Sequence, residues 1–206
     1  MATAGRVGVP SGDPDRTYTL DEEAQLTRNL HALTTAVHAG KFSHIRVGIQ
    51  LLEVLHRNLF ATVRSHAGRC RSRDFGSEHL TFGPHRSMHR NEVLDSLTEV
   101  FRSFVSEAGR LWANPAAEGY DEAALHLALR LHADVIRIHP FEDGNGRTGR
   151  ALMDLVLVQL GLRPIPMEVP KEEYIEVLNH YYRTHDLNPL QDLALRLYPM
   201  YDSLGT

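Results

Sequence analysis

The sequence predicts an all-α domain, a helical bundle packed around one buried helix. Three observations carry this. Apolar residues recur at helical spacing along most of the chain. The run Ala151 to Leu160 is apolar nearly all round, with only Asp154 and Gln159 polar. A helix without a polar face belongs in the middle of a domain, and this one is too short to cross a bilayer. The stretch from Gly68 to Pro84 breaks the pattern; with Gly76 and Gly83 it reads as a loop or short irregular hairpin.

Taken in order, residues 1–17 hold Gly, Pro, Ser and Asp without the apolar core of a signal peptide, and read as a flexible tail. The rest, 18–206, reads as one domain. Asp21 is placed to cap a first helix running to His38, with Glu22 and Glu23 in its first turn and Gly40 as its stop. A second helix is expected from Ser43 to Arg64, on the spacing of Ile45, Ile49, Leu52, Leu55, Leu59 and Val63. A third is expected from Asn91 to Ala108, then a loop from Trp112 to Tyr120. Asp121 is placed to cap a helix that continues into His139. The apolar helix should stop at Gly161, with Pro164 and Pro166 turning the chain. Lys171 to Arg183 has an apolar stripe of Tyr174, Val177, Leu178 and Tyr181. Asn188, Pro189 and Gln191 give a cap, an N1 proline and an N3 partner for a last helix ending near Met200.

Composition narrows the functional classes. The net charge is −4 with both signs mixed, which does not describe a nucleic-acid surface. No stretch reads as a membrane span. Cys70 is the only cysteine, so no internal disulfide can form. That suits a reducing compartment: the cytoplasm, or the cytoplasm of a host or target cell into which the protein is delivered. The thirteen histidines show no H-E-x-x-H spacing and no C-x-x-C accompanies them, so zinc is not indicated.

The chemistry concentrates in His139-Pro140-Phe141-Glu142-Asp143-Gly144-Asn145-Gly146-Arg147-Thr148-Gly149-Arg150. A glycine-rich loop feeds the first turn of the central helix. Unpaired backbone N–H groups and the positive end of the helix dipole point there, as in phosphate sites. Gly144 and Gly146 permit close approach to the backbone. Arg147 and Arg150, three apart, lie on one face and can fork onto phosphate oxygens. Asp143 suits Mg²⁺, which takes one or two protein carboxylates with phosphate and water. His139 can take a proton from a hydroxyl.

This stretch resembles the motif H-x-F-x-(D/E)-G-N-G-R-x-x-R of the Fic family and matches every specified position. The resemblance implies the all-α Fic fold with a short β-hairpin flap. It implies a protein adenylyltransferase that moves AMP from ATP to a Ser, Thr or Tyr hydroxyl of a target protein. In that reading His139 is the general base and Asp143 holds Mg²⁺ bridging the α- and β-phosphates. Gly144, Asn145 and Gly146 form the anion hole, and Arg147 and Arg150 hold the leaving pyrophosphate. Glu142 points out and leaves the metal to Asp143. Leu55-His56-Arg57 and Asp186-Leu187-Asn188-Pro189-Leu190 resemble further family segments. Gly68-Arg69-Cys70-Arg71 is similar to Gly-x-Phe-Arg, with Cys70 in place of the aromatic.

The resemblance also implies a flap, placed at Phe75, Gly76, Ser77, Glu78, His79, Leu80 and Thr81. Its unpaired backbone groups would dock the target by strand addition. Many relatives carry an inhibitory (S/T)-x-x-x-E-(G/N) helix whose glutamate pairs with the second arginine. Thr35, Ala39 and Gly40 resemble a degenerate copy, alanine replacing glutamate; an ordinary helix end is the other reading. An antitoxin-like partner supplying the glutamate stays open. So do a Fic transferase using another nucleotide, a non-enzymatic nucleotide-binding regulator, and a kinase-like toxin. The last carries lysine where this chain has Gly146, and lacks the second arginine.

Overall fold

A computed structural model describes residues 18–165, 167 and 169–197. Within them are seven helices: α1 Leu20–His38, α2 Ile49–Phe60, α3 Val93–Trp112, α4 Tyr120–Ile138, α5 Asn145–Gln159, α6 Lys171–Thr184 and α7 Asn188–Leu197. One two-stranded antiparallel hairpin, β1 Thr81–Phe82 and β2 His85–Arg86, pairs Thr81 with Arg86 and Phe82 with His85. The predicted all-α class with a short hairpin is the observed one. The expected tail, residues 1–17, and Met200 lie outside the described residues.

α5 is the central helix. It packs against α4, α1 and α2, while α3, α6 and α7 pack against α4. Leu152, Met153, Val156 and Leu157 are completely buried. Each contributes about 1.5–3 kcal/mol on leaving water, which is how a helix apolar on all sides comes to anchor the bundle. Its polar Gln159 is absorbed locally, donating to the carbonyls of Ser43 at 3.1 Å and Ile45 at 3.0 Å.

Several boundaries differ from the sequence reading. α1 is capped by Thr19 rather than Asp21, because Thr19 and Glu22 form a reciprocal capping box. α2 is shorter than its apolar period at both ends. Ile45 and Val63 pack on the core from turns outside it, one turn tied down by Gln159 and the other by Phe60. α4 starts from Gly119 at φ 76°, so Asp121 sits inside the first turn, where its charge still favours the dipole. α7 begins at Asn188, whose N–H is accepted by Asp186. Gln191 faces His126 instead of returning to the helix start.

Candidate active site

The loop between α4 and α5 gathers the chemistry. His139 ends α4 in the left-handed region, φ 57°, its N–H still bonded to Val135 at 3.1 Å. Its Nδ1 lies 3.3 Å from the Ile136 carbonyl. A carbonyl only accepts, so Nδ1 donates, and in the neutral ring the lone pair is then on Nε2, the tautomer a base requires. Phe82 of the hairpin stacks on the imidazole, centroids 4.2 Å apart and planes within 9°.

The carbonyls at the end of α4 have no helical partner, and Arg71 supplies one. Fully buried, it donates to the His139 carbonyl from Nε at 2.9 Å and Nη2 at 2.7 Å, and to the Ile138 carbonyl. The same guanidinium reaches the carbonyls of Ser77, Glu78 and Met88. One side chain therefore fastens the flap region to the backbone of His139. Cys70 beside it is buried where the family pattern has an aromatic.

Beyond His139, the loop is braced from beneath. Asn145 accepts from the Phe141 N–H and donates to the Phe141 carbonyl, both at 2.8 Å. Its amide is thus a brace within the loop, and only its backbone is left to the proposed anion hole. His56 of α2 accepts from the Gly68 N–H through Nδ1 at 2.8 Å and donates to the Asp143 carbonyl through Nε2 at 3.0 Å. It is stacked between Phe141 and Phe60, and burial pushes its pKa down to about 4. Gly144 stands at φ 75°, and a Cβ there would lie 2.2 Å from the Phe60 ring. The same ring underlies Arg147, whose guanidinium carbon is 4.8 Å from its centroid. Glycine is required here by both backbone and contact.

Asp143 is buried and accepts from the Gly144 N–H at 2.6 Å and from the Tyr18 hydroxyl. Arg147 reaches the same hydroxyl at 2.9 Å. Arg150 leans the other way. Its Nη1 lies beside Gly146, and it bonds Tyr174 of α6, whose hydroxyl is 2.5 Å from His132 Nε2. The two arginines flank the start of α5, one toward α1 and α2, the other toward α6. Asp154, one turn past Arg150, is pushed up to about 7 by burial. No group of three or more His, Cys, Asp or Glu side chains gathers among the described residues. The single hard carboxylate of Asp143, beside a glycine loop and two arginines, fits Mg²⁺ that takes its other ligands from phosphate and water.

Two expectations are corrected. Glu142 does not point out: it is buried and accepts from the Ser77 N–H and, at 3.0 Å, from the Ser77 hydroxyl. Nor are Phe75 to Thr81 an open strand edge. The Phe75 N–H bonds Ser72, the Gly76 carbonyl accepts from Arg90, and the Ser77 and Glu78 carbonyls accept from Arg71. Leu80 is paired at both N–H and carbonyl with Ser87, His79 Nδ1 meets the Ser87 carbonyl, and Thr81 pairs with Arg86. The hairpin tip lies later, at Gly83-Pro84.

Thr35, Ala39 and Gly40 are also distant from Arg150. α1 and α5 run side by side in the same direction: Tyr18 meets Arg147 at one end and Phe42 to Ile45 meet Gln159 at the other. α1 is about 28 Å long at 1.5 Å per residue. Ala39 therefore lies at the end opposite Arg150, and a glutamate there does not reach it. Sequence reasoning missed the roles of Arg71, His56, Glu142 and Tyr18. Arg71 and His56 were marked only by their resemblance to family segments, and Tyr18 carried no signal.

Among the described residues no helix is long and apolar enough to cross a membrane. The sequence model of the Fic/DOC family matches residues 46–157. The chain is 29% identical over 131 residues to a protein adenylyltransferase Fic of Nematostella vectensis, covering 63% of this chain and 27% of that protein. Over 42 residues it is 45% identical to a uridine 5'-monophosphate transferase of Xanthomonas campestris, 20% of this chain and 8% of the other. It thus spans about a quarter or less of these two relatives. The fold is similar to the N-terminal Fic domain of a VirB-translocated Bep effector protein from Bartonella quintana, solved with bound ADP. That likeness has a TM-score of 0.68 at 15% identity, over 93% of this chain and 90% of the other. The motif, the fold and the family match agree, and the chain belongs to the Fic/DOC family.

Proposed function

We propose that this domain transfers AMP from ATP to a hydroxyl side chain, Ser, Thr or Tyr, of another protein. The observation that carries the reading is the joining of a base-competent His139 to a glycine loop at the start of α5, with Asp143, Arg147 and Arg150 around it. The target oxygen attacks the α-phosphorus, and its proton passes to His139 Nε2. The bond from that phosphorus to the β-phosphate bridging oxygen breaks, and pyrophosphate leaves with the electron pair. The N–H groups at the α5 start and the two guanidinium groups stabilise the charge that develops. Mg²⁺ held at Asp143 supplies charge neutralisation on the phosphates when bound. A positioned base contributes about 10²–10⁴-fold.

A second reading, transfer of UMP or another nucleotide, is favoured by the similarity to the uridine 5'-monophosphate transferase. The chemistry at phosphorus is the same, so the base does not discriminate. The test is incubation of the chain with lysate protein and each labelled nucleoside triphosphate in turn. His139→Ala should remove incorporation while leaving nucleotide binding nearly intact. Incorporation persisting near the original rate removes His139 from the mechanism.

A further inference from the structure

Tyr18, just ahead of α1, sits against the groups assigned above to metal and phosphate. Its hydroxyl donates to Asp143 Oδ2 and accepts from Arg147 Nη2 at 2.9 Å. Two guanidinium groups lie over its ring, Arg64 at 4.4 Å and Arg147 at 5.1 Å from the centroid. It is only 8% exposed. The segment is pinned at its base. Arg64 Nη1 bonds Glu22 Oε1 at 2.8 Å, and the other oxygen of Glu22 completes the capping box with Thr19.

The phenol takes an acceptor site on Asp143 Oδ2 and a donor of Arg147, the two groups a cation and a phosphate would use, and its ring fills the space beside them. We propose that Tyr18 is an intramolecular strap that occupies the metal and phosphate positions, so that metal-nucleotide must displace it to bind. This rests on the nucleotide reading of the site. It locates the restraint at the start of α1, on Asp143 and Arg147, rather than at the Thr35 to Gly40 end. A binding-competent state reached only when the strap lifts lowers apparent affinity by the fraction of time it is down. A hydrogen bond to a charged group is strong enough to make that about tenfold.

Two measurements on the full chain test this. In the first, Tyr18 is nitrated with tetranitromethane and quantified by peptide mass spectrometry, with and without Mg²⁺–ATP. Tyr18 should be protected alone and become reactive when nucleotide saturates. In the second, calorimetry compares the chain with Tyr18→Phe, which keeps the ring and deletes the hydroxyl. The variant should bind Mg²⁺–ATP about tenfold more tightly. Tyr18 still protected at saturation, or Tyr18→Phe binding no tighter, overturns the strap. A chain in which nucleotide releases Tyr18 but no group is transferred keeps the strap and loses the transferase reading. A chain that transfers AMP with Tyr18 still protected does the reverse.

Discussion

Acid should unfasten the glycine loop through His56. This imidazole uses both nitrogens in fixed roles, accepting from Gly68 and donating to the Asp143 carbonyl. Protonation would put a second hydrogen where Nδ1 must accept, inside an aromatic stack. Burial accordingly holds the group near 4, below its ordinary 6.5. Above pH 6.5 both folded and unfolded chains leave it neutral, and it contributes nothing to pH dependence. As pH falls below 6.5 the unfolded chain takes up a proton that the folded chain refuses, and stability is lost until about pH 4. At pH 5 the loss is about 2 kcal/mol, and at its limit about 3 kcal/mol. His132, also buried and held near 4, adds a loss of similar size. His56→Gln can keep a donor and an acceptor but does not titrate. Urea melts at pH 7 and pH 5 should show the variant losing about 2 kcal/mol less than the parent. An unchanged difference between the two pH values would refute the burial argument for His56.

Gly144→Ala should cost about 2–4 kcal/mol in denaturant melts, from left-handed strain and forced displacement of Phe60. A loss under 1 kcal/mol would mean the ring yields freely. Glu142→Ala should raise amide hydrogen exchange around Ser77 by tenfold or more, since its carboxylate accepts from both the N–H and the hydroxyl of Ser77; unchanged exchange would remove the latch. Asp154→Asn reports the opposite pH sense to His56. The carboxyl is raised to about 7 by burial, so the folded chain keeps its proton while the unfolded chain has lost it, and stability drains as pH rises from about 4 to 7. The variant should therefore gain on the parent by about 4 kcal/mol between pH 4 and pH 8; a constant difference would contradict the assignment.

How far the sequence reaches depends on how local the physics is. The central helix was legible because a run apolar on every side has one place to go. The glycine loop, His139 and the arginines were legible because loop, helix start and charge are contiguous in the chain. The α2 limits were misread because Ile45 and Val63 keep the helical period while packing from turns, where burial overrides periodicity. The flap was misread because its backbone groups are satisfied by side chains from elsewhere. Arg71, Arg90, Glu142 and Ser87 take them, and none of those partnerships has a spacing rule. Tyr18 is the extreme case: 125 residues separate it from Asp143, and no pattern in the sequence joins them.

The central claim is that the transferred group comes from the α-phosphorus and that His139 takes the proton. The direct measurement is incubation with target lysate and ATP labelled at either the α- or the γ-phosphate, followed by counting label on protein. The account predicts incorporation from α-labelled ATP, none from γ-labelled ATP, and a fall of about 10²–10⁴-fold for His139→Ala. Label arriving from the γ-phosphate, or α-label undiminished in His139→Ala, would contradict it.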